Sequence, residues 1–136
     1  MFKRIAHVCL NVRNLRQSLD FYTRLGLEPV FRFTRKGNPF GVYLRLAEAN
    51  FIELFEAPGL ETPVNTGLVH FCLESDDLDR LMGDLRTRGI AFTEKKLGCD
   101  NTWQIWLEDP DGNAFEVHQY TPKSMQFIGG TVEADW

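Results

Sequence analysis

The sequence predicts an α+β fold built from two tandem βαβββ modules, and three observations predict it. First, the chain repeats itself at a shift of 63 residues: His7 returns as His70, Glu53 as Glu116, Cys9 as Cys72, Leu15 as Leu78, Gly26 as Gly89, Leu44 as Leu107 and Asn50 as Asn113. Conservative pairs such as Leu27 with Ile90 and Tyr43 with Trp106 follow the same shift. Second, each copy opens with an alternating strand pattern that passes into a helical one closed by glycine. Third, three further strand patterns separated by turn residues complete each copy. A fixed internal period of this kind marks one supersecondary unit used twice.

The first module covers residues 1–58 and begins with the strand IAHVCLNV. Period two sets Ala6, Val8, Leu10 and Val12 on a core face, and Ile5, His7, Cys9 and Asn11 on the other. Asn14 is the expected N-cap of a helix whose stripe is Leu15, Leu19, Tyr22 and Leu25, with Gly26 as its stop. Strands are expected at Pro29–Thr34, Gly41–Leu46 and Asn50–Glu56, with turns at Lys36–Pro39 and Ala47–Asn50. A linker rich in Pro and Gly, Ala57–Val64, leads to the second module at residues 64–122. There LVHFCLES is the strand, Asp76 or Asp77 starts a helix carrying Leu78, Leu81, Met82 and Leu85, and Gly89 stops it. Strands are expected at Ile90–Lys95, Thr102–Glu108 and Ala114–Tyr120, the last two joined by the Asp109–Gly112 turn. The two modules make a single domain over residues 1–122, and residues 123–136 form a tail that docks or frays.

Composition narrows the class. A chain of 136 residues with 43% hydrophobic residues, eleven of them Phe, can bury a real core. A net charge of −4 without long single-sign runs argues against nucleic acid or an anionic membrane as the main partner. No apolar stretch reaches the length of a membrane span, and no secretory h-region opens the chain. The three cysteines form no CxxC pair; Cys9 and Cys72 read as small buried thiols in a reducing cytoplasm.

The chemistry lies in the echoed His and Glu. Period two puts Phe51, Glu53 and Phe55 on one strand face, opposite Ile52 and Leu54, and puts Ala114, Glu116 and His118 opposite Phe115 and Val117. A carboxylate facing a helix is costly to bury unpaired, so both Glu belong on the open face with His7 and His70. Two imidazoles and two carboxylates suit one borderline divalent ion, Ni, Co, Zn, Fe or Mn, with positions left for substrate oxygens. Such an ion polarises a carbonyl, and a loosely held Glu can take a proton from the neighbouring carbon. Tyr43, Trp106 and Asn11 are candidate pocket walls; His118, on the face of Glu116 two residues away, is a candidate acid or base beside it or a polar wall; and Arg45, Arg32, Lys95 and Lys96 are candidate anion binders.

The segments AHVCLNVRNLRQSLDFYTRLGLEPV, NFIELFE, GLVHFCLES and LEDPDGNAFEVHQYTP carry a resemblance to the vicinal oxygen chelate superfamily, over about Ile5 to Pro122. The resemblance implies a curved, mixed-sheet cup around the metal. Within the superfamily the His7–Glu53–His70–Glu116 set resembles glyoxalase I, lactoylglutathione lyase. That implies a lyase or isomerase working through an enediolate, with Glu116 and Glu53 as candidate bases. Asn11 and Ala57 stand where bacterial glyoxalase I carries its thiol-binding Arg and Asn, so the resemblance implies an α-hydroxycarbonyl type of substrate without implying glutathione. Fosfomycin-resistance thiol transferases are similar through His7, His70, Glu116 and Lys96, but have Thr at Cys9 and Ser near Asp100. Bleomycin-resistance proteins resemble the same fold as binders lacking the ligand set. The expected partner is a small-molecule substrate, and the expected assembly a cytoplasmic homodimer.

Overall fold

The first strand, β1 (His7–Val12), buries Leu10 and Val12 and exposes His7, Cys9 and Asn11, as its alternation predicts. The computed structural model describes residues 5–59, 61 and 70–131. Much of the expected linker, the start of the second-module strand and the end of the tail lie outside the described residues. The chain divides into two units: residues 1–66 with 109–112, and residues 67–108 with 113–136.

In unit 1, Asn14 caps α1 (Leu15–Leu25), its side chain accepting the Gln17 N–H at 3.0 Å. A second cap comes from the sheet, where Glu56 Oε1 accepts the Leu15 N–H at 3.0 Å. Gly26, at φ 114°, takes the left-handed turn that ends the helix and lets the Leu27 N–H reach the Tyr22 carbonyl. The buried face of α1 is Leu15, Ser18, Phe21 and Tyr22. Leu19 and Leu25 are only half-buried, so the expected stripe is rotated. The rotation has a polar cause: Ser18 Oγ donates to Asp111 Oδ2 at 3.0 Å, and the Tyr22 hydroxyl donates to Asp109 Oδ2 at 2.9 Å. Asp111 Oδ1 also accepts the Arg13 N–H at 2.9 Å. The 109–112 turn thus brings two buried carboxylates against α1, each satisfied by hydrogen bonds.

Three antiparallel strands follow: β2 (Glu28–Arg35), β3 (Asn38–Ala47) and β4 (Asn50–Glu56). The sheet order is β1-β4-β3-β2, with β1 parallel to β4. Val42, Leu44, Ile52 and Leu54 form its buried face. Gly41 is needed for a close approach, since a Cβ there would meet the Phe55 ring at 2.5 Å.

Unit 2 repeats the plan. It consists of β5 (Phe71–Glu74), α2 (Leu78–Thr87), β6 (Lys96–Leu97), β7 (Trp103–Glu108) and β8 (Ala114–Gln119), in the sheet order β5-β8-β7-β6. Asp77 caps α2 through the Arg80 N–H, and Gln119 Oε1 accepts the Leu78 N–H at 2.9 Å, as Glu56 does for Leu15. Leu78, Leu85, Ile90, Ile105, Leu107, Phe115 and Val117 make the core. The strand expected at Ile90–Lys95 is not formed; only Lys96–Leu97 pairs regularly. There the Thr93 hydroxyl, in place of a backbone carbonyl, accepts the Trp106 N–H at 2.9 Å, and the ladder is interrupted. A short helix, α3 (Met125–Ile128), follows β8. It is laced to residues 98–102: Ser124 is buried and bonds Thr102 Oγ1 at 3.0 Å, and Gln126 Nε2 donates to Asp100 Oδ2 at 2.6 Å.

Two stability measurements check this packing. Asp111→Ala removes the acceptor of the Arg13 N–H and of Ser18, and should cost about 2–4 kcal/mol in urea unfolding; a loss below 0.5 kcal/mol, the size of a neutral surface change, would contradict it. Burial pushes the Asp100 carboxyl up, but hydrogen bonds from Gln126 and Thr102 outweigh it and hold the group below its ordinary 3.8. A depressed folded value stabilises above the unfolded value and is lost as pH falls through the folded one. Asp100→Asn should therefore flatten the acid limb of stability below pH about 4, and parallel acid limbs would refute this.

Candidate functional site

Each unit presents one imidazole beside one carboxylate on the face of its sheet away from the helix. In unit 1 the parallel register pairs Cys9 with Glu53, so His7, two residues earlier, stands diagonally from Glu53. His7 Nε2 and Glu53 Oε2 are 3.8 Å apart. In unit 2 the register pairs Cys72 with Glu116, and His70 Nε2 lies 3.6 Å from Glu116 Oε2. Both separations exceed a direct hydrogen bond. Both fit two ligands of a shared cation, since ligands at about 2.1 Å stand roughly 3.0 to 4.2 Å apart. The Glu53 and Glu116 side chains are 15% and 8% exposed, which makes a nearby positive charge valuable to each. The donors therefore fit a borderline divalent ion in chemistry and in spacing within each pair.

The neighbours are equivalent as well. Tyr43 pairs with Glu53 across β3–β4, and its hydroxyl meets His7 Nδ1 at 3.1 Å. Trp106 pairs with Glu116 across β7–β8, and its ring meets the His70 ring edge-on at 4.7 Å. These contacts fix ring orientation, as outer partners of metal-binding histidines do. On the same face of unit 1 lies an aromatic wall: Phe31 stacks on Tyr43 at 4.8 Å, and Phe55 meets both Phe33 and Phe40.

One expectation needs correction. Cys9 and Cys72 are exposed, not buried, because they share the face of His7 and Glu116. Partial desolvation, reinforced by Glu53, pushes the Cys9 thiol up to about 11. Desolvation, with Glu116 adding to it, pushes Cys72 up to about 12. Both thiols stay protonated at neutral pH in the metal-free protein. Arg45 pairs with Glu28 at 3.9 Å, and Lys95 with Asp79 at 2.8 Å while lying over the Trp103 ring, so both cations already face a carboxylate. Asn11 is exposed on the His7 face. Of the two expectations for His118, the structure shows the one beside Glu116: its Nε2 lies 2.8 Å from Glu116 Oε2, closer than His70. Gln104 stands opposite His118 in the β7–β8 register.

The glyoxalase/bleomycin resistance protein/dioxygenase superfamily model matches residues 4–117. A trivalent organoarsenical cleaving enzyme of Bacillus sp. (strain MD1) is 32% identical, over 90% of this chain and 76% of its own length. The lactoylglutathione lyase GLX1 of Arabidopsis thaliana is 26% identical over 92% of this chain, which spans only 47% of that protein. A glyoxalase family protein from Enterococcus faecalis has the same fold, with a TM-score of 0.76 and 24% identity over 87% of this chain and 98% of its own.

Proposed function

As the chain belongs to the glyoxalase/bleomycin resistance protein/dioxygenase superfamily, we propose that it is a metal-dependent lyase or isomerase of glyoxalase type, moving a proton between carbons beside a carbonyl. The observation that carries this reading is the pair of matched imidazole–carboxylate couples, at 3.8 and 3.6 Å, one on the open sheet face of each unit. The proposed ligands are His7, Glu53, His70 and Glu116, drawn from one chain or from two copies in a homodimer. The proposed ion is Ni, Co, Zn, Fe or Mn, one per site. When bound, it supplies Lewis acidity that polarises a substrate carbonyl and acidifies the adjoining C–H bond.

The remaining roles belong to side chains. Glu116, the more buried carboxylate, takes the proton from the carbon that bears the hydroxyl. His118 steadies Glu116 Oε2 during the transfer. The protonated Glu116 carboxyl then returns that proton to the neighbouring carbon, and Glu53 is the other candidate for this shuttle. Tyr43 and Trp106 hold the two imidazoles, and Asn11 lies on the open face where a substrate oxygen can bond it. The substrate is an α-hydroxycarbonyl or a thiol–methylglyoxal hemithioacetal, and the Arabidopsis relative's name supports the latter. The free cysteines support a reducing, cytoplasmic setting.

A second reading is cleavage of a trivalent organoarsenical, as named for the Bacillus relative. Two of the three free thiols, Cys9 and Cys72, lie on the His–Glu faces, and thiol sulfur is a soft donor suited to trivalent arsenic.

The metal-loaded protein should isomerise hemithioacetals of methylglyoxal, and Glu116→Gln should lower kcat by about 10²–10⁴-fold with the far-ultraviolet dichroism unchanged. Full turnover in Glu116→Gln would remove the proposed base. Inactivity on every hemithioacetal, with loss of a trivalent arsenical from the same sample, would decide for the second reading.

A further inference from the structure

We propose that Cys72, Glu116 and His118 form a soft-metal pocket in unit 2 that takes thiophilic d10 ions such as Zn²⁺ or Cd²⁺ through one sulfur, one oxygen and one nitrogen. The pocket shares Glu116 with the proposed catalytic set but does not rest on that reading. It is built by strand register. Parallel pairing of β5 with β8 sets Cys72 beside Glu116, and the pleat returns His118 to the same face two residues later. Their ligand atoms lie within 4.8 Å of one another. Tetrahedral ligands at about 2.0–2.3 Å stand roughly 3.3 to 3.7 Å apart, so modest side-chain rotations bring the three donors onto one ion. Three protein ligands leave a fourth position for water.

The repeat supplies an internal control. In unit 1, Cys9 stands beside Glu53 as Cys72 does beside Glu116, but the residue equivalent to His118 is Phe55. Phe55 is turned into the aromatic wall, so unit 1 offers a sulfur and a carboxylate without the third donor. The sulfur changes which ions the pocket favours. Thiolate prefers soft ions, whereas His and Glu alone suit borderline ones. An ion held by Cys72 engages the Glu116 carboxylate and opens its hydrogen bond with His118. On the proposed function, Cd²⁺ held there would withdraw the base and inhibit the enzyme, while Ni²⁺ or Co²⁺ at the catalytic set supports it. Cys72 is thereby a residue that determines metal selectivity.

Titration of the purified protein with CdCl₂ tests this, followed by sulfur-to-cadmium charge-transfer absorption and by mass-mapped alkylation of each cysteine. The charge-transfer band should appear in the parent protein and in Cys9→Ser, and vanish in Cys72→Ser. His118→Gln should weaken Cd²⁺ binding at least tenfold, and Cd²⁺ should shield Cys72, not Cys9, from iodoacetamide. A band that survives Cys72→Ser, or no band in the parent protein, overturns the pocket. The dichroism of each variant establishes that it is folded. Neither readout uses turnover, so a protein that shows the band but no lyase activity rejects the proposed function and leaves the pocket standing.

Discussion

In each unit the first strand lies parallel to the last, β1 on β4 and β5 on β8, and this pairing decides what meets on the open face. A parallel pair needs a long crossover, here supplied by a helix and two antiparallel strands. The register then sets each Cys opposite a Glu and each His one pleat away. A slip of one residue would turn the carboxylates toward the buried face beside Val42, Leu44 and Leu54, or Ile105 and Leu107, where an unpaired charge is costly. The buried apolar pattern and the polar site therefore enforce the same register.

The pairing is locked where strand meets helix. Glu56 ends β4 and caps α1; Gln119 ends β8 and caps α2. Each bond ties the last strand of the unit to the helix that follows the first strand, satisfying a helix N–H that has no partner inside the helix. The same positions, 63 residues apart, keep the role while exchanging an acid for an amide, so the geometry of the acceptor oxygen is what both copies retain.

Much of this was legible from local pattern. The bounds Asn50–Glu56, the caps at Asn14 and Asp77, the stops at Gly26 and Gly89, and the faces of His7, Glu53 and Glu116 all follow from period, cap and turn chemistry. What stayed hidden depends on partners distant in sequence. Asp109 and Asp111 read as turn residues, because Tyr22 and Ser18, 87 and 93 residues away, give no local sign of needing them. Ile90–Lys95 has strand composition, but the Thr93 hydroxyl takes the bond that a ladder would use. For Cys9 and Cys72 the general tendency of thiols to be buried pointed one way and the pleat the other, and the pleat prevailed. For His118 the pleat gives the shared face with Glu116, but only the side-chain rotamers bring its nitrogen to Glu116 Oε2.

We propose that the two imidazole–carboxylate pairs act as one ligand set. The most direct test is the metal content, by mass spectrometry, of the protein reconstituted with Ni²⁺ or Co²⁺, alongside His7→Ala and His70→Ala. About one ion per site is expected in the parent protein, with loss of that ion in either single variant, since each pair alone holds too few donors. An ion content unchanged by His7→Ala, or by His70→Ala, would contradict it.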